Sequence, residues 1–379
     1  MTLALNEEQE LLRETAREFV GERSPVTSLR ALRDSEDAVG FSRELWKEMA
    51  ELGWAGITFP EEYGGSDLGY AELGVVLEEC GRTLMAQPFL STVLLAGNAV
   101  LLGGSEQQRK DLLTGLCSGD TILALAFQEQ GRFDPYGIST EAAASDGGFV
   151  LSGEKIFVLD GHVADKLVVA ARTSGVSGER DGITLFLVDP KAQGVTITRT
   201  TMVDSRNAAN VRLDGVQVAR GDVLGELEHG AEILDPVFDR ATAGLSAELL
   251  GTTQEAYDRT ITYLKTREQF GVLIGSFQAL KHRAVTLFCD LELARSLVLE
   301  ALRAIDAGRE DAPQVVSAAK ARMSEVAIEA GCEAIQIHGG IGMTDEEEIG
   351  LFLKRVRPAS LTLGDAAYHR DRFAKLRGF

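Results

Sequence analysis

The sequence predicts an α+β protein in which a β-rich segment separates two helical ones. Three patterns carry this prediction. Apolar residues recur at helical spacing in residues 1–118, short strand-like runs alternate with turn signals in residues 119–230, and longer helical patterns fill residues 231–379. These boundaries define an N-terminal helical domain, a middle antiparallel β-domain and a C-terminal helical bundle. A site at a junction between such segments is the default expectation.

In the first segment, Asn6 with Gln9 three residues later forms a capping box that opens a helix through Phe19. A second helix starts near Ser42, carries Leu45, Met49 and Leu52 at helical spacing and stops at Gly53. Ala71–Cys80 and Thr92–Leu102 read as further helices, and Ser105 with Gln108 opens another. In the middle segment the strand-like runs are Ile122–Phe127, Phe149–Leu151, Lys155–Leu159, Leu167–Ala171, Ile183–Val188, Val195–Thr201 and Val211–Leu213. Asp146-Gly147-Gly148, Ser152-Gly153, Asp181-Gly182 and Asp214-Gly215 read as turns between them. In the last segment, Asp235-Pro236 looks like an N-cap with Pro at the first helical position. Further helices cover Gln278–Ala307 and Pro313–Ile337, and the stretch His338-Gly339-Gly340-Ile341-Gly342 ends the last of these.

Composition narrows the function. With 45% hydrophobic and 25% charged residues, the chain is globular in type. No apolar run reaches the ~18 residues of a membrane span. The acidic start, Asn6-Glu7-Glu8, is unlike a signal or transit peptide, which places the protein in the cytoplasm. A net charge of −20 argues against nucleic acid as a partner, and the short run Lys354-Arg355-Val356-Arg357 reads as a solvated face. The four cysteines, Cys80, Cys117, Cys289 and Cys332, have no paired short spacing, and the five histidines form no HxH or HxxxH pair. Neither a disulfide framework nor a metal site is expected.

Three motifs in order carry a resemblance to a known family. Arg267-Glu268-Gln269-Phe270-Gly271 followed by Gln278 resembles the RxxFG…Q motif of acyl-CoA dehydrogenases. Gln336-Ile337-His338-Gly339-Gly340-Ile341-Gly342 resembles that family's QxxGGxG, and Gly153-Glu154-Lys155 followed by Phe157-Val158 stands where the family has GxKxWI. The resemblance spans essentially the whole chain. It implies FAD as cofactor at a subunit interface, an acyl-CoA thioester as substrate and an electron-transfer flavoprotein as acceptor. Arg267 then contacts the pyrophosphate of a neighbouring subunit's FAD, with Phe270 and Gln278 along the same cofactor and Gln336, Ile337, His338, Gly339 and Gly340 at the adenosine portion. Phe157, Val158 and Leu159 lie at the flavin ring. The family's T-E-P run is here Gln128-Glu129-Gln130, its Trp is Phe157 and its Thr is Leu159. These departures put side-chain hydrogen bonds to the flavin in question; backbone contacts can remain, or Phe157 and Leu159 are ordinary sheet interior.

The reaction implied is α,β-dehydrogenation: a carboxylate removes the proton beside the thioester carbonyl and flavin N5 accepts a hydride. In many members the base is the Glu of Y-E-G-T. Matched residue by residue, Leu363 takes the place of that Tyr and Gly364 that of the Glu, with Asp365 displaced by one. Other members carry the base just before an Arg on the first helix of the C-terminal domain, which makes Asp239 of Phe238-Asp239-Arg240 the leading candidate and Asp365 the second. Glu248 and Glu346 are further acids to weigh. The Q-x-HGGIG and G-D-A stretches also resemble bacterial members acting on steroid-derived thioesters. Those can form α2β2 assemblies in which one subunit can lack the base or a complete flavin site. The chain is therefore read as a catalytic dehydrogenase, in a homotetramer or an α2β2 heterotetramer, or alternatively as a silent subunit completing a partner's FAD site. A third reading is substrate oxidation by dioxygen on the same fold. Arg132, Lys166 and Arg172 are candidate anchors for the CoA phosphates.

Overall fold

The computed structural model describes residues 4–379. The helices α1 (Glu7–Arg23), α2 (Val26–Asp34), α3 (Arg43–Glu51) and α4 (Tyr70–Arg82) come first. A π-helical stretch, Phe89–Gly97, runs into α5 (Asn98–Gly103), and α6 is Glu106–Cys117. The strands β1 (Leu123–Ala126), β2 (Glu141–Ser145), β3 (Gly148–Leu159), β4 (Lys166–Arg172), β5 (Ile183–Val188), β6 (Val195–Thr201), β7 (Asn207–Ala219) and β8 (Val223–Leu224) follow. After them come α7 (Gly230–Thr266), the hairpin β9 (Glu268–Gln269) and β10 (Val272–Leu273), α8 (Gln278–Asp306), α9 (Ala312–His338), α10 (Ile349–Leu361) and α11 (Ala366–Leu376).

Local signals behave as their chemistry dictates. Both capping boxes form: Asn6 and Gln9 exchange backbone–side-chain bonds at the start of α1, and Ser105 and Gln108 do so at α6. Ser42 caps α3, and Gly53 follows it at φ +80°. Longer-range order departs from the sequence reading in four places. The runs at 149–151 and 155–159 are one strand, β3, interrupted by irregularities rather than by a turn. Asp214-Gly215 does not turn a hairpin; it is a bulge inside β7 opposite Ser152, where Gly215 takes φ +67°. The sheet is mixed rather than purely antiparallel, since β1 pairs with β4 in parallel. Helix α7 begins at Gly230, so Pro236 lies inside it rather than at its first position.

The chain forms two compact units. One holds Leu32–Gly69 and Ala86–Ala241. Its frame is the eight-stranded sheet in the order β6-β7-β3-β2-β4-β5-β8, with β1 on β4. Alternate residues of these strands, among them Phe149, Leu151, Val169, Phe186, Val211 and Val216, build its core. The other unit holds the chain up to Ala31, Tyr70–Met85 and Thr242–Phe379. There α1 lies on α4 through Gln9–Glu72 and a bidentate Arg17–Glu79 pair with Glu79 buried. Gly81 and Gly251 let α4 and α7 approach: a Cβ at Gly251 would stand 1.7 Å from Glu78 O.

Two cations in this second unit are buried, one of them where the sequence suggested surface. Arg355, taken with its neighbours as a solvated face, is 1% exposed. It donates to Leu84 O and Met85 O at 3.0 and 3.1 Å and stands 3.6 Å from buried Glu248. Lys320 of α9 is fully buried and points Nζ at Ala359 O, Ser360 O and Gly364 O at 3.0–3.1 Å, with Ser324 Oγ at 3.3 Å. It thus satisfies carbonyls left open at the end of α10. No helix among the described residues is long and apolar enough to cross a membrane. Lys320→Met should lower the unfolding free energy by about 3 kcal/mol, because it leaves several buried carbonyls without donors. A urea titration reads this directly, and an unchanged midpoint would refute the clamp.

Candidate functional site

In the sheet unit, the loop after β1 is stitched to β3. Lys155 is fully buried and donates to Glu129 Oε1 at 2.5 Å. Glu129 also accepts from Ser139 N, Thr140 N and Thr140 Oγ1 at 2.7–3.0 Å. Burial opposes the charge on Glu129, yet Lys155 and Thr140 hold its carboxyl below the usual range. Burial also pulls Lys155 down to about 8, against the attraction of Glu129. Just beyond this pair the β3–β7 register shifts between Lys155 and Val158. Phe157 in that bulge takes φ +56°, a conformation costing about 1–3 kcal/mol for a bulky residue and one that gathers at functional sites. Ile156 N bonds to Gln128 O at 2.8 Å, and Asp160, also at positive φ, is held by Ser91 Oγ and Asn207 Nδ2 at 2.5 and 3.1 Å. The segment Phe157-Val158-Leu159 is therefore fixed at both ends. The Val158 side chain lies in the sheet core, so only its backbone is offered outward, while Phe157 and Leu159 are half-buried.

In the helical unit, the remaining cofactor candidates gather at one end. The hairpin β9–β10 turns on Phe270-Gly271, both at positive φ. Phe270 at its tip is 92% exposed, with Phe277 edge-on at 6.2 Å. Leu264, Ile274, Ala284 and Ile337 form a small core that joins the end of α7, the hairpin, the start of α8 and the end of α9. Tyr263 stacks on His338 at 4.3 Å and donates to His338 O at 3.3 Å. The structure thereby brings Arg267, Phe270 and Gln278 together with Gln336 and Gly339-Gly340, all exposed. Ile337 and His338 face inward, and His338 Nδ1 bonds to Ala334 O at 2.7 Å, so their side chains serve the fold. A Cβ placed on Gly339 or Gly340 would meet nothing within 4 Å, so this backbone is open to a close-lying ligand. Tyr263 was invisible to motif reading; its only signal is its i, i+4 relation to Arg267.

Of the acids, Asp239 is half-buried in the third turn of α7. It therefore does not stand in the first turn, where an acid merely complements the helix dipole. Its neighbours are both held: Phe238 packs on Phe127 and Phe133 with centroids 4.7 and 5.4 Å away, and Arg240 donates to Asn98 Oδ1 at 2.8 Å. One turn earlier, Asp235 accepts from Tyr136 Oη at 2.6 Å and from Arg180 Nε and Nη2 at 3.1 and 3.0 Å. Burial, and then Asp235, push the Tyr136 hydroxyl well up, so it remains a donor.

The C-terminal loop is built differently. Leu363 and Gly364 take φ +59° and +101°, and Gly364 O is held by Lys320. His369 Nε2 donates to Leu363 O at 2.9 Å. A Cβ on Gly364 would stand 2.4 Å from Tyr368 Cδ1. Asp365 is exposed, and its Oδ1 caps α11 by accepting from Tyr368 N at 2.8 Å. Neither residue offers a buried carboxylate. Arg172, a candidate CoA anchor, is buried in the sheet unit with its guanidinium on Ile138 O, Tyr136 O and Asp181 O at 2.8–3.1 Å and on Glu179 O, so it braces loops instead. Arg132 is exposed and Lys166 half-buried.

Comparison with known proteins gives three family matches along the chain: acyl-CoA dehydrogenase N-terminal domain at residues 6–120, middle domain at 124–216 and C-terminal domain at 228–376. The acyl-CoA dehydrogenase IpdE2 of Mycolicibacterium smegmatis is 32% identical over 368 residues, covering 95% of this chain and 96% of that protein. A 3-(aryl)acrylate reductase of Clostridium sporogenes is 31% identical over 366 residues, covering 94% and 95%. Among solved structures, the steroid ACAD Tcur3481-Tcur3483 superposes with a TM-score of 0.87 at 32% identity, covering 99% of this chain and 98% of that one.

Two outcomes follow from the C-terminal loop. Gly364→Glu should destabilise the protein by about 1–3 kcal/mol, through the positive φ and the clash with Tyr368, and should add no activity. A gain in turnover would show that a carboxylate is accommodated there. His369 is held down to about 3, first by burial and then by the Lys320 charge. The unfolded chain takes up that proton near pH 6.5 and the folded one does not, so stability falls as pH drops from about 6.5 to about 3, by up to about 1.4 kcal/mol per pH unit. His369→Gln should flatten this limb in urea titrations across that range; an unchanged slope would remove His369 from the account.

Proposed function

This chain belongs to the acyl-CoA dehydrogenase family, and from that premise we propose that it catalyses FAD-dependent α,β-dehydrogenation of an acyl-CoA thioester. The residues fit the cofactor. Gly339 and Gly340 expose backbone with open space beside it, Arg267 is free to meet a pyrophosphate in the bidentate manner of guanidinium groups, and Phe270 offers an exposed ring. In the family arrangement Arg267, Phe270 and Gln278 hold the FAD of a neighbouring subunit, with Gln336 to Gly340 at its adenosine end. The backbone of Phe157-Val158-Leu159, fixed by the bulge, flanks the flavin ring. Bound FAD supplies the hydride acceptor.

The observation that carries the chemistry is the setting of Asp239: a half-buried carboxylate in the interior of α7 with both sequence neighbours held. Asp239 takes the proton beside the thioester carbonyl as the hydride leaves the next carbon. The electrons pass on to an electron-transfer flavoprotein, and the enzyme works in the cytoplasm as a homotetramer or α2β2 assembly. A second reading, a silent subunit that completes a partner's FAD site, draws on the C-terminal loop, where Gly364 and Asp365 supply no base. Similarity to a steroid ACAD favours bulky, ring-bearing acyl groups among the substrates, in steroid or other lipid degradation.

Purified alone, the chain should carry about one flavin per polypeptide by its visible spectrum. Asp239→Asn should keep that spectrum and slow anaerobic flavin reduction by acyl-CoA roughly a thousandfold, the scale of general-base catalysis. A colourless folded chain that gains flavin and activity only with a second subunit would replace the first reading by the second. Full activity in Asp239→Asn would remove the base assignment.

A further inference from the structure

The start of α7 has a defect that its surroundings repair. Pro236 has no N–H, so the helical bond to Glu232 O one turn back is missing, and its ring disfavours helical backbone at Asp235. A helix weakened there would leave the turn bearing Asp239 poorly fixed. Yet both oxygens of Asp235 are engaged from outside the helix, Oδ1 by Tyr136 Oη and Oδ2 by Arg180. Asp235 and Asp239 are four residues apart and so lie on the same face, about 5–6 Å apart at Cβ.

The two supporting groups are themselves anchored. Tyr136 O accepts from Gly178 N at 2.9 Å and from Arg172 Nη2 at 3.1 Å, and the same guanidinium holds Asp181 O next to Arg180. The loop that carries Tyr136 is tied at one end by Glu129 to buried Lys155, and its Phe133 packs against Phe238. Two loops of the sheet unit thus converge on one carboxylate of α7. The aromatic contact of Phe238 and the Arg240–Asn98 bond hold the turn from its other sides.

We propose that Tyr136, Asp235 and Arg180 form a latch that positions the Asp239 carboxylate for proton abstraction. They are positioning residues, and the proposal rests on Asp239 being the base. The latch replaces the backbone bond that Pro236 removes and sets the turn before substrate arrives. Misplacing a reacting group by about 1 Å costs on the order of a hundredfold in rate, so its loss acts on the chemical step rather than on substrate binding.

The test uses the FAD-loaded protein with any subunit that co-purifies, comparing wild type, Tyr136→Phe, Asp235→Asn and Asp239→Asn. Hydrogen–deuterium exchange reads the latch without substrate: Tyr136→Phe and Asp235→Asn should speed amide exchange around Val237–Ala241 about tenfold or more and leave α9 unchanged. Stopped-flow flavin reduction is followed with whichever of butyryl-CoA, octanoyl-CoA and 3-phenylpropionyl-CoA reduces the wild type fastest. Both latch variants should lose about ten- to a hundredfold in the limiting rate with little change in half-saturation. A variant combining Tyr136→Phe with Asp235→Asn should be no worse than the poorer of the two single variants, as expected of one unit. Unchanged exchange overturns the latch, whatever Asp239 does. Faster exchange with an unchanged reduction rate overturns its catalytic role while the base assignment stands on Asp239→Asn. A fully active Asp239→Asn overturns the base assignment and the proposal together.

Discussion

The buried Lys155–Glu129 pair is the constraint on which the sheet unit's functional surface depends. A lysine with no solvent access needs a partner, and removing either member would leave an uncompensated buried charge. Because Glu129 also gathers two backbone N–H groups and a hydroxyl from Ser139 and Thr140, the pair fixes the whole loop from Phe127 to Thr140. That loop supplies Phe133 and Tyr136 to the start of α7. The same lysine stands just before the bulge that turns Phe157, so one ion pair sets the strand proposed to flank the flavin and steadies the helix proposed to carry the base.

The helical unit relies on a different device. Its long helices are closed at their ends by side chains from elsewhere in the sequence: Lys320 and His369 at the turn after α10, Arg355 on the carbonyls of Leu84 and Met85, and Tyr263 at the end of α9. Lys320 and His369 brace the turn that holds Gly364, and Tyr263 braces the turn that starts at Gly339. In this way Gly339-Gly340 is presented as a defined surface rather than a loose end.

How much of this was legible in the sequence depended on range. Capping boxes at Asn6–Gln9 and Ser105–Gln108 are decided within four residues and could be read outright. The strands β5 and β6 were also bounded by their own apolar or alternating runs. The start of α7 was misread because Asp-Pro is a strong local N-cap signal, whereas here Asp235 gives its carboxylate to Tyr136 and Arg180 inside a helix already under way. β7 was taken for a short strand because Asp214-Gly215 mimics a turn, whereas the pairing with β3 absorbs it as a bulge. The motif residues Arg267, Phe270, Gln278 and Gly339-Gly340 were read as a set, and they lie exposed at one end of the helical unit. The inward role of His338, the loop-bracing role of Arg172 and the burial of Arg355 were not, since burial is a property of partners remote in sequence.

The turn at Leu363-Gly364 also bears on how such a chain can change over time. Here the backbone has settled into a left-handed path that only glycine occupies comfortably, with the Tyr368 ring filling the space where a side chain would leave. A carboxylate at position 364 would have to adopt that backbone and displace the Tyr368 ring as well, so a replacement there alone is costly. Supplying a base from this loop is therefore a change of the whole turn and not of one side chain.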